Sequence, residues 1–187
     1  MYRKFNLVVL FVLFGFAVSA QEVKFPSLDS SPADIAYYPL NAVKVKKGED
    51  SAPLIKVLYS RPSAKGRTVF GTLAAFGEVW RVGANESTEI KFFKPVVIGG
   101  KNIAVGTYSL FAIPNQDKWV IIINKQTDRW GAYTYDEKKD VVRIEVPVKP
   151  LATALESLSI TFTPMASGAN LIIGWDKTSV EVPVTIK

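Results

Sequence analysis

The chain has 187 residues, of which 48% are hydrophobic, 12% aromatic and 21% charged, with a net charge of +6. That is enough for one well-packed domain, and it rules out a disordered polymer. Cysteine and histidine are both missing, which excludes disulfides, thiolate or imidazole metal sites, a cysteine nucleophile and any Ser-His-Asp triad.

The N-terminus carries Arg3 and Lys4, then an apolar run from Phe5 to Val18 broken by Asn6 and Gly15, then Val18-Ser19-Ala20. A basic start, an apolar stretch and the ending Val18-Ser19-Ala20 predict a signal peptide over residues 1–20, cleaved after Ala20. The run falls short of the roughly 20 apolar residues that span a bilayer, so an uncleaved anchor is the poorer reading. The mature chain is expected in the periplasm or outside the cell, touching membrane only through its transient leader.

Residues 21–53 hold Pro26, Pro32, Pro39 and Pro53 and little periodicity. They read as an N-terminal arm laid across the domain, with one short strand near Val43–Val45. From residue 54 to 187 the pattern has period two, the signature of half-buried strands. Ile55, Val57 and Tyr59 share a face, as do Ile90 and Phe92. Val96–Ile98 and Lys101–Ile103 flank Gly99-Gly100, a pair suited to a tight hairpin. Gly106–Ile113 alternates before the turn residues Pro114–Asp117. Trp119–Ile123 is apolar on both faces, as a strand buried on two sides would be. Val142, Ile144 and Val146 alternate, then Leu158, Ile160 and Phe162, then Leu171, Ile173 and Trp175, then Val180 through Ile186. Only Leu151, Leu155 and Leu158 have a helical spacing, good for a turn or two. The expected fold is all-β: an antiparallel β-sandwich, jelly-roll or immunoglobulin-like, of about nine short strands with little helix.

Three connecting segments are chemically dense. Arg61-Pro-Ser-Ala-Lys-Gly-Arg67 places Arg61, Lys65 and Arg67 around a proline and a glycine, a composition that fits an anion-binding corner or a solvated loop. Trp80–Thr88 brings Trp80, Arg81, Asn85 and Glu86 together. A sugar could stack on the indole while the polar groups take its hydroxyls, or Arg81 and Glu86 could simply pair with each other. Asn124–Asp136 carries Trp130, Tyr133 and Tyr135, which suit a cleft lining or a lid over the sandwich end.

Those segments resemble a family. Y-S-R-P-S-A-K-G-R (Tyr59–Arg67), F-G-T-L (Phe70–Leu73), V-W-R-V-G-A-N-E-S-T (Val79–Thr88), G-T-Y-S-L-F-A-I-P (Gly106–Pro114) and W-G-A-Y-T-Y-D (Trp130–Asp136) occur in order. With the arm D-S-S-P-A-D-I-A-Y-Y-P (Asp29–Pro39), they look like the bacterial family catalogued as domain of unknown function 2911. The resemblance covers roughly Ser27–Thr163 and implies no particular activity. Motifs that fall in loops imply either a site or a demanding loop architecture.

The favoured expectation is a binding module for a glycan or small anionic ligand, contacted by Arg61, Lys65, Arg67, Trp80, Arg81, Asn85 and Glu86, with Trp130 and Tyr133 alongside. No catalytic residue, metal ligand or cofactor is assigned, and no run of like charge invites nucleic acid. Oligomeric state is left open. A hydrolase is the alternative, using Glu86 with Glu89 or Asp136, or a Ser63–Lys65 pair. A Ca²⁺ site at Asp136, Glu137 and Asp140 is disfavoured by the intervening Lys138 and Lys139. A purely structural or assembly role is the third reading.

Overall fold

The computed structural model describes residues 22–42, 44–48 and 52–187; the expected leader lies outside them. Period-two patterning becomes nine antiparallel strands: β1 (Ala33–Tyr38), β2 (Ile55–Ser60), β3 (Thr88–Phe92), β4 (Val96–Ile98), β5 (Lys101–Ile103), β6 (Gly106–Pro114), β7 (Lys118–Asn124), β8 (Asp140–Met165) and β9 (Gly168–Ile186). A single 3-10 turn, Glu137–Lys139, is the one piece of helix among the described residues. The fold is therefore all-β and antiparallel, as expected.

The strands form one open sheet in the order β1-β2-β3-β6-β7-β8-β9-β4-β5. Chain neighbours pair with chain neighbours, except that the β4–β5 hairpin crosses to the far edge, where β4 pairs with the end of β9. Two layers arise within this one sheet because β8 and β9 are long, 26 and 19 residues. The start of β8 pairs with β7, and its later part pairs with β9. The two halves then share a core: Ile55, Phe92 and Ile121 from one side belong to the same buried cluster as Phe162, Ile173 and Val182 from the other. Each such side chain contributes roughly 1.5–3 kcal/mol of burial.

Tyr59 ties the halves together. Its hydroxyl oxygen accepts the Ile160 N–H at 3.0 Å, and Tyr38 donates to the Gly168 carbonyl at 2.9 Å while its ring meets Phe162 at 5.8 Å.

Several local expectations hold. Gly99 and Gly100 turn the β4–β5 hairpin with φ of +56° and +76°, angles that cost an L side chain and cost glycine little. A Cβ on Gly99 would also stand 2.1 Å from Ile144 Cγ2. β7 is buried on both faces: Ile121 and Ile123 face the common core, and Ile122 is fully buried outside it. On that outer side Tyr135 meets Phe111 edge-on at 5.3 Å, so the aromatic segment after β7 does cover the sheet.

Two local expectations differ. Val43 lies outside the described residues, and Lys44 and Val45 carry no strand; the arm instead supplies β1, an edge strand in register with β2 from Ala33↔Ser60 to Tyr38↔Ile55. Leu151–Leu158 is extended within β8 rather than helical. The leucine spacing serves a different purpose there: Leu151 and Leu155 pack over Gly174, where a Cβ would sit 3.0 Å from Leu155 Cδ1 and 3.6 Å from Leu151 Cδ1.

Candidate functional site

The register of β8 against β9 slips between Pro150 and Leu155 and again between Leu155 and Ser159. Residues 156–158 are thereby released from β9, and their backbone groups need other partners. The Arg61–Arg67 loop supplies them. Ala64 N–H donates to the Glu156 carbonyl at 2.8 Å, and Leu158 N–H donates to the Pro62 carbonyl at 3.0 Å. Ser63 and Ser157 form an antiparallel bridge, with their hydroxyls 2.9 Å apart. A slip in one hairpin thus anchors the cationic loop.

Within that loop the three cations part company. Arg61 is committed to the scaffold: Nε donates to the Leu158 carbonyl at 3.0 Å, Nη2 to Ser159 Oγ at 2.9 Å, and Nη1 pairs with Asp34 at 2.9 Å. Lys65 and Arg67 are exposed and line an open pocket of about 360 Å³. Lys65 has φ +50° and Gly66 φ +70°. The Lys65 backbone N–H donates to Glu156 Oε1 at 2.8 Å, while Arg67 braces its own loop through Nε to the Ala64 carbonyl and Nη2 to the Ser63 carbonyl.

The opposite wall comes from the Trp80 loop. Trp80 exchanges both backbone hydrogen bonds with Ala112, at 2.7 and 2.9 Å, so it extends the sheet where β3 has ended. Its indole stacks on Trp175 at 6.1 Å and 19°, and meets Phe70 and Trp119 edge-on at 6.0 and 5.8 Å. Only 8% of Trp80 is exposed. It is the floor of the pocket and an anchor of an aromatic cluster; the freely exposed ring nearby is Tyr133, at 80%.

Val82, fully buried, sits at φ +54°. A β-branched residue there costs of the order of 1–3 kcal/mol, and Thr88 holds it by donating from Oγ1 to the Val82 carbonyl at 2.7 Å. The bend aims Arg81 back across the loop. Arg81 Nη1 donates to the Asn85 carbonyl at 3.2 Å, and its guanidinium lies 6.0 Å from the Tyr133 ring centre. The same Asn85 carbonyl accepts the Gly131 N–H at 2.9 Å, and Ser87 N–H donates to the Arg129 carbonyl. The aromatic segment after β7 is therefore stitched to the Trp80 loop.

The third wall is the arm. Ser30 and Ser31 line the pocket. They are held because Asp29 Oδ1 accepts both Ser31 N–H at 2.7 Å and Asn85 Nδ2 at 3.1 Å, and Arg61 N–H donates to the Pro32 carbonyl at 3.0 Å. The pocket thus gathers Lys65, Arg67 and Arg81 with the serines at 30, 31 and 63, and among the described residues no acid lines it. A second hollow of about 410 Å³ adjoins it across Leu73, Trp80 and Arg81 and continues past Thr72 and Glu78 to Tyr133.

The sequence-predicted residues divide accordingly. Lys65, Arg67, Trp80 and Arg81 converge on one pocket, and Tyr133 lines its neighbour. Arg61 and Asn85 shape the walls from behind. Glu86 points to a separate hollow of about 270 Å³, which it lines with Glu89, Asp128 and Arg129; it has no ion pair with Arg81. Trp130, 59% exposed, joins Glu86 by a backbone bridge and lines neither of the adjoining chambers. The Ser63 hydroxyl is paired with Ser157 rather than with Lys65. Asp140 is engaged by Asn124, Tyr135 and Arg143, and no group of three or more carboxylates among the described residues could hold a metal. The arm serines escaped the sequence reading. Their one signal was the Asp29–Pro32 motif, whose place beside the loops is set only by long-range pairing.

A family model described as "Protein of unknown function (DUF2911)" matches residues 40–184. No curated protein and no solved structure matches the chain.

Proposed function

The chain belongs to the DUF2911 family, and on that premise we propose that it is an exported binding module that takes a small anionic ligand, such as an acidic sugar, in the pocket between the Arg61–Arg67 and Trp80–Glu86 loops. One observation carries the reading: three cations on two separate loops meet at one open pocket with no acid in its lining. The nearest carboxylates, Glu156 and Asp29, are turned to the backbone N–H groups of Lys65 and Ser31, so the cationic side chains still lend the pocket a positive potential, and an incoming carboxylate or phosphate finds charge-assisted hydrogen-bond donors from Arg67 and Arg81 and a mobile point charge from Lys65. The serine hydroxyls can serve the ligand as either donors or acceptors. Strain at Val82 is consistent with a loop shaped for binding, since such conformations cluster at ligand sites. Export rests on the leader: mass spectrometry of protein from the native host should find a chain beginning at Gln21, and a chain retaining Met1 would overturn it.

The binding test is calorimetric titration at low salt with glucuronate and with inorganic phosphate. The expected result is saturable binding that weakens with added salt and falls tenfold or more in the double variant Lys65→Ala, Arg67→Ala. No binding of either probe, or equal binding by the folded variant, would overturn it.

A hydrolase is the second reading, supported by Glu86 and Glu89 lining one hollow. Hydrolysis of a glycoside panel that Glu86→Gln abolishes would favour it; hydrolysis indifferent to that change would remove the named role.

A further inference from the structure

We infer that the anion pocket is one half of a two-subsite groove, and that its ligand is an oligosaccharide joining an acidic sugar to an uncharged or amino sugar. This rests on the anion-binding reading above and goes beyond it by assigning the adjoining chamber.

The two chambers share Leu73, Trp80 and Arg81 in their linings, so they lie side by side, within reach of one oligosaccharide. Each is of a size that holds a small ligand group, since sites run from roughly 300 Å³ upward. Their chemistry differs. The first chamber is cationic. The second contains one acid, Glu78, and one broadly exposed ring, Tyr133.

An exposed ring beside Thr72, Glu78 and Arg81 offers what a pyranose needs: a flat apolar surface for its C–H face and polar groups for its hydroxyls. Trp80 cannot provide that surface, because its rings are packed on Trp175, Phe70 and Trp119. Glu78 would repel a second carboxylate, so the unit over Tyr133 is uncharged or carries an amino group. It would accept hydrogen bonds from either. Arg81 spans both subsites, with its guanidinium near the Tyr133 ring and its residue on the wall of the cationic pocket.

Titration of the full mature chain with four probes tests the inference: glucuronate, a hyaluronan tetrasaccharide (alternating acidic and neutral units), a galacturonate tetramer (all acidic) and a neutral chitin tetramer. The hyaluronan tetrasaccharide should bind at least tenfold more tightly than glucuronate. It should also surpass both the all-acidic and the neutral tetramers. Tyr133→Ala, at an exposed position where folding is not at risk, should abolish the gain of the tetrasaccharide over glucuronate, both probes being measured on the same variant. Glu78→Gln should narrow the gap between the hyaluronan and galacturonate probes. If glucuronate binds but the tetrasaccharide binds no better, or if the gain survives Tyr133→Ala, the second subsite is refuted while the anion pocket stands. If the neutral tetramer equals the hyaluronan probe, the acidic half of the assignment is refuted. If neither glucuronate nor any tetramer binds, both readings fall together.

Discussion

Gly131 and Arg81 occupy the same small space: a Cβ on Gly131 would stand 2.5 Å from Arg81 Nη1 and 3.1 Å from the Tyr133 ring. Gly131 also has φ +64°, so glycine is required twice over, by backbone and by neighbour. The guanidinium reaches the Asn85 carbonyl through space that a side chain at 131 would fill. Gly131→Ala should therefore push Arg81 off the Asn85 carbonyl. Glucuronate affinity should fall about tenfold, with a loss of fold stability of about 1–2 kcal/mol from the left-handed backbone. Parallel calorimetry and urea denaturation separate the two effects, and unchanged affinity would show that Arg81 is not held by this contact.

Arg61 should behave in the opposite way to its loop partners. Its guanidinium bonds Leu158, Ser159 and Asp34, but it does not line the pocket. Arg61→Gln should cost about 1–3 kcal/mol in urea denaturation, chiefly by leaving the Leu158 carbonyl and Ser159 without their donors; the half-exposed Asp34 pair adds little. Glucuronate affinity of the folded variant should stay within about twofold. A tenfold loss of affinity at full stability would return Arg61 to the site.

Trp80 is the position where stability and binding are easiest to confuse. It is 8% exposed and packs against three aromatic rings, so Trp80→Ala should cost about 3–5 kcal/mol. Loss of binding in that variant would say little about a sugar contact. Trp80→Phe keeps much of the packing and should retain glucuronate binding within about threefold. A large loss in a stably folded Trp80→Phe protein would restore the indole to a direct role.

Alkaline pH should weaken the fold through two tyrosines. Burial is the main cause that pushes the Tyr59 phenol up from 10.0, opposed by the Ile160 N–H it accepts. Burial likewise raises Tyr135, helped by its hydrogen bond to the Asp140 carboxylate. Both groups are held neutral in the folded state. Their contribution is fully present below 10.0, where the unfolded chain is also neutral, and is lost as pH rises from there through the higher folded values. The urea midpoint should drop above about pH 10. Tyr135→Phe keeps the ring on Phe111, so it should make that drop shallower; an identical pH profile would remove Tyr135 from the account.

Some of this protein was readable locally. The faultless alternation of Val180, Val182 and Val184 is the inward face of β9, and a one-residue slip would turn all three outward, so the strand has no stable alternative register of that kind. Gly99-Gly100 dictates its own hairpin, and the apolar run Trp119–Ile123 needs cover on both faces. Such features depend on the repeat of side chains along one segment. The leucines at 151, 155 and 158 show the limit of that logic. Their spacing suits a helix, yet Gly174 on the neighbouring strand gives Leu151 and Leu155 a place to pack in extended chain.

The site divides in the same way. Composition alone picked out two loops rich in cations and aromatics and placed them outside the strands. Which cation faces solvent and which ring is buried depended on partners outside the loop itself: Leu158 and Ser159 for Arg61, Trp175 for Trp80, Gly131 for Arg81. Alternation is a property of adjacent residues, so the all-β antiparallel character followed from the sequence by itself. The pocket exists because a register slip in β8 frees the backbone at 156–158 to hold one loop beside another, and hydrogen-bond demand between distant segments is satisfied only when the whole sheet has closed over its core.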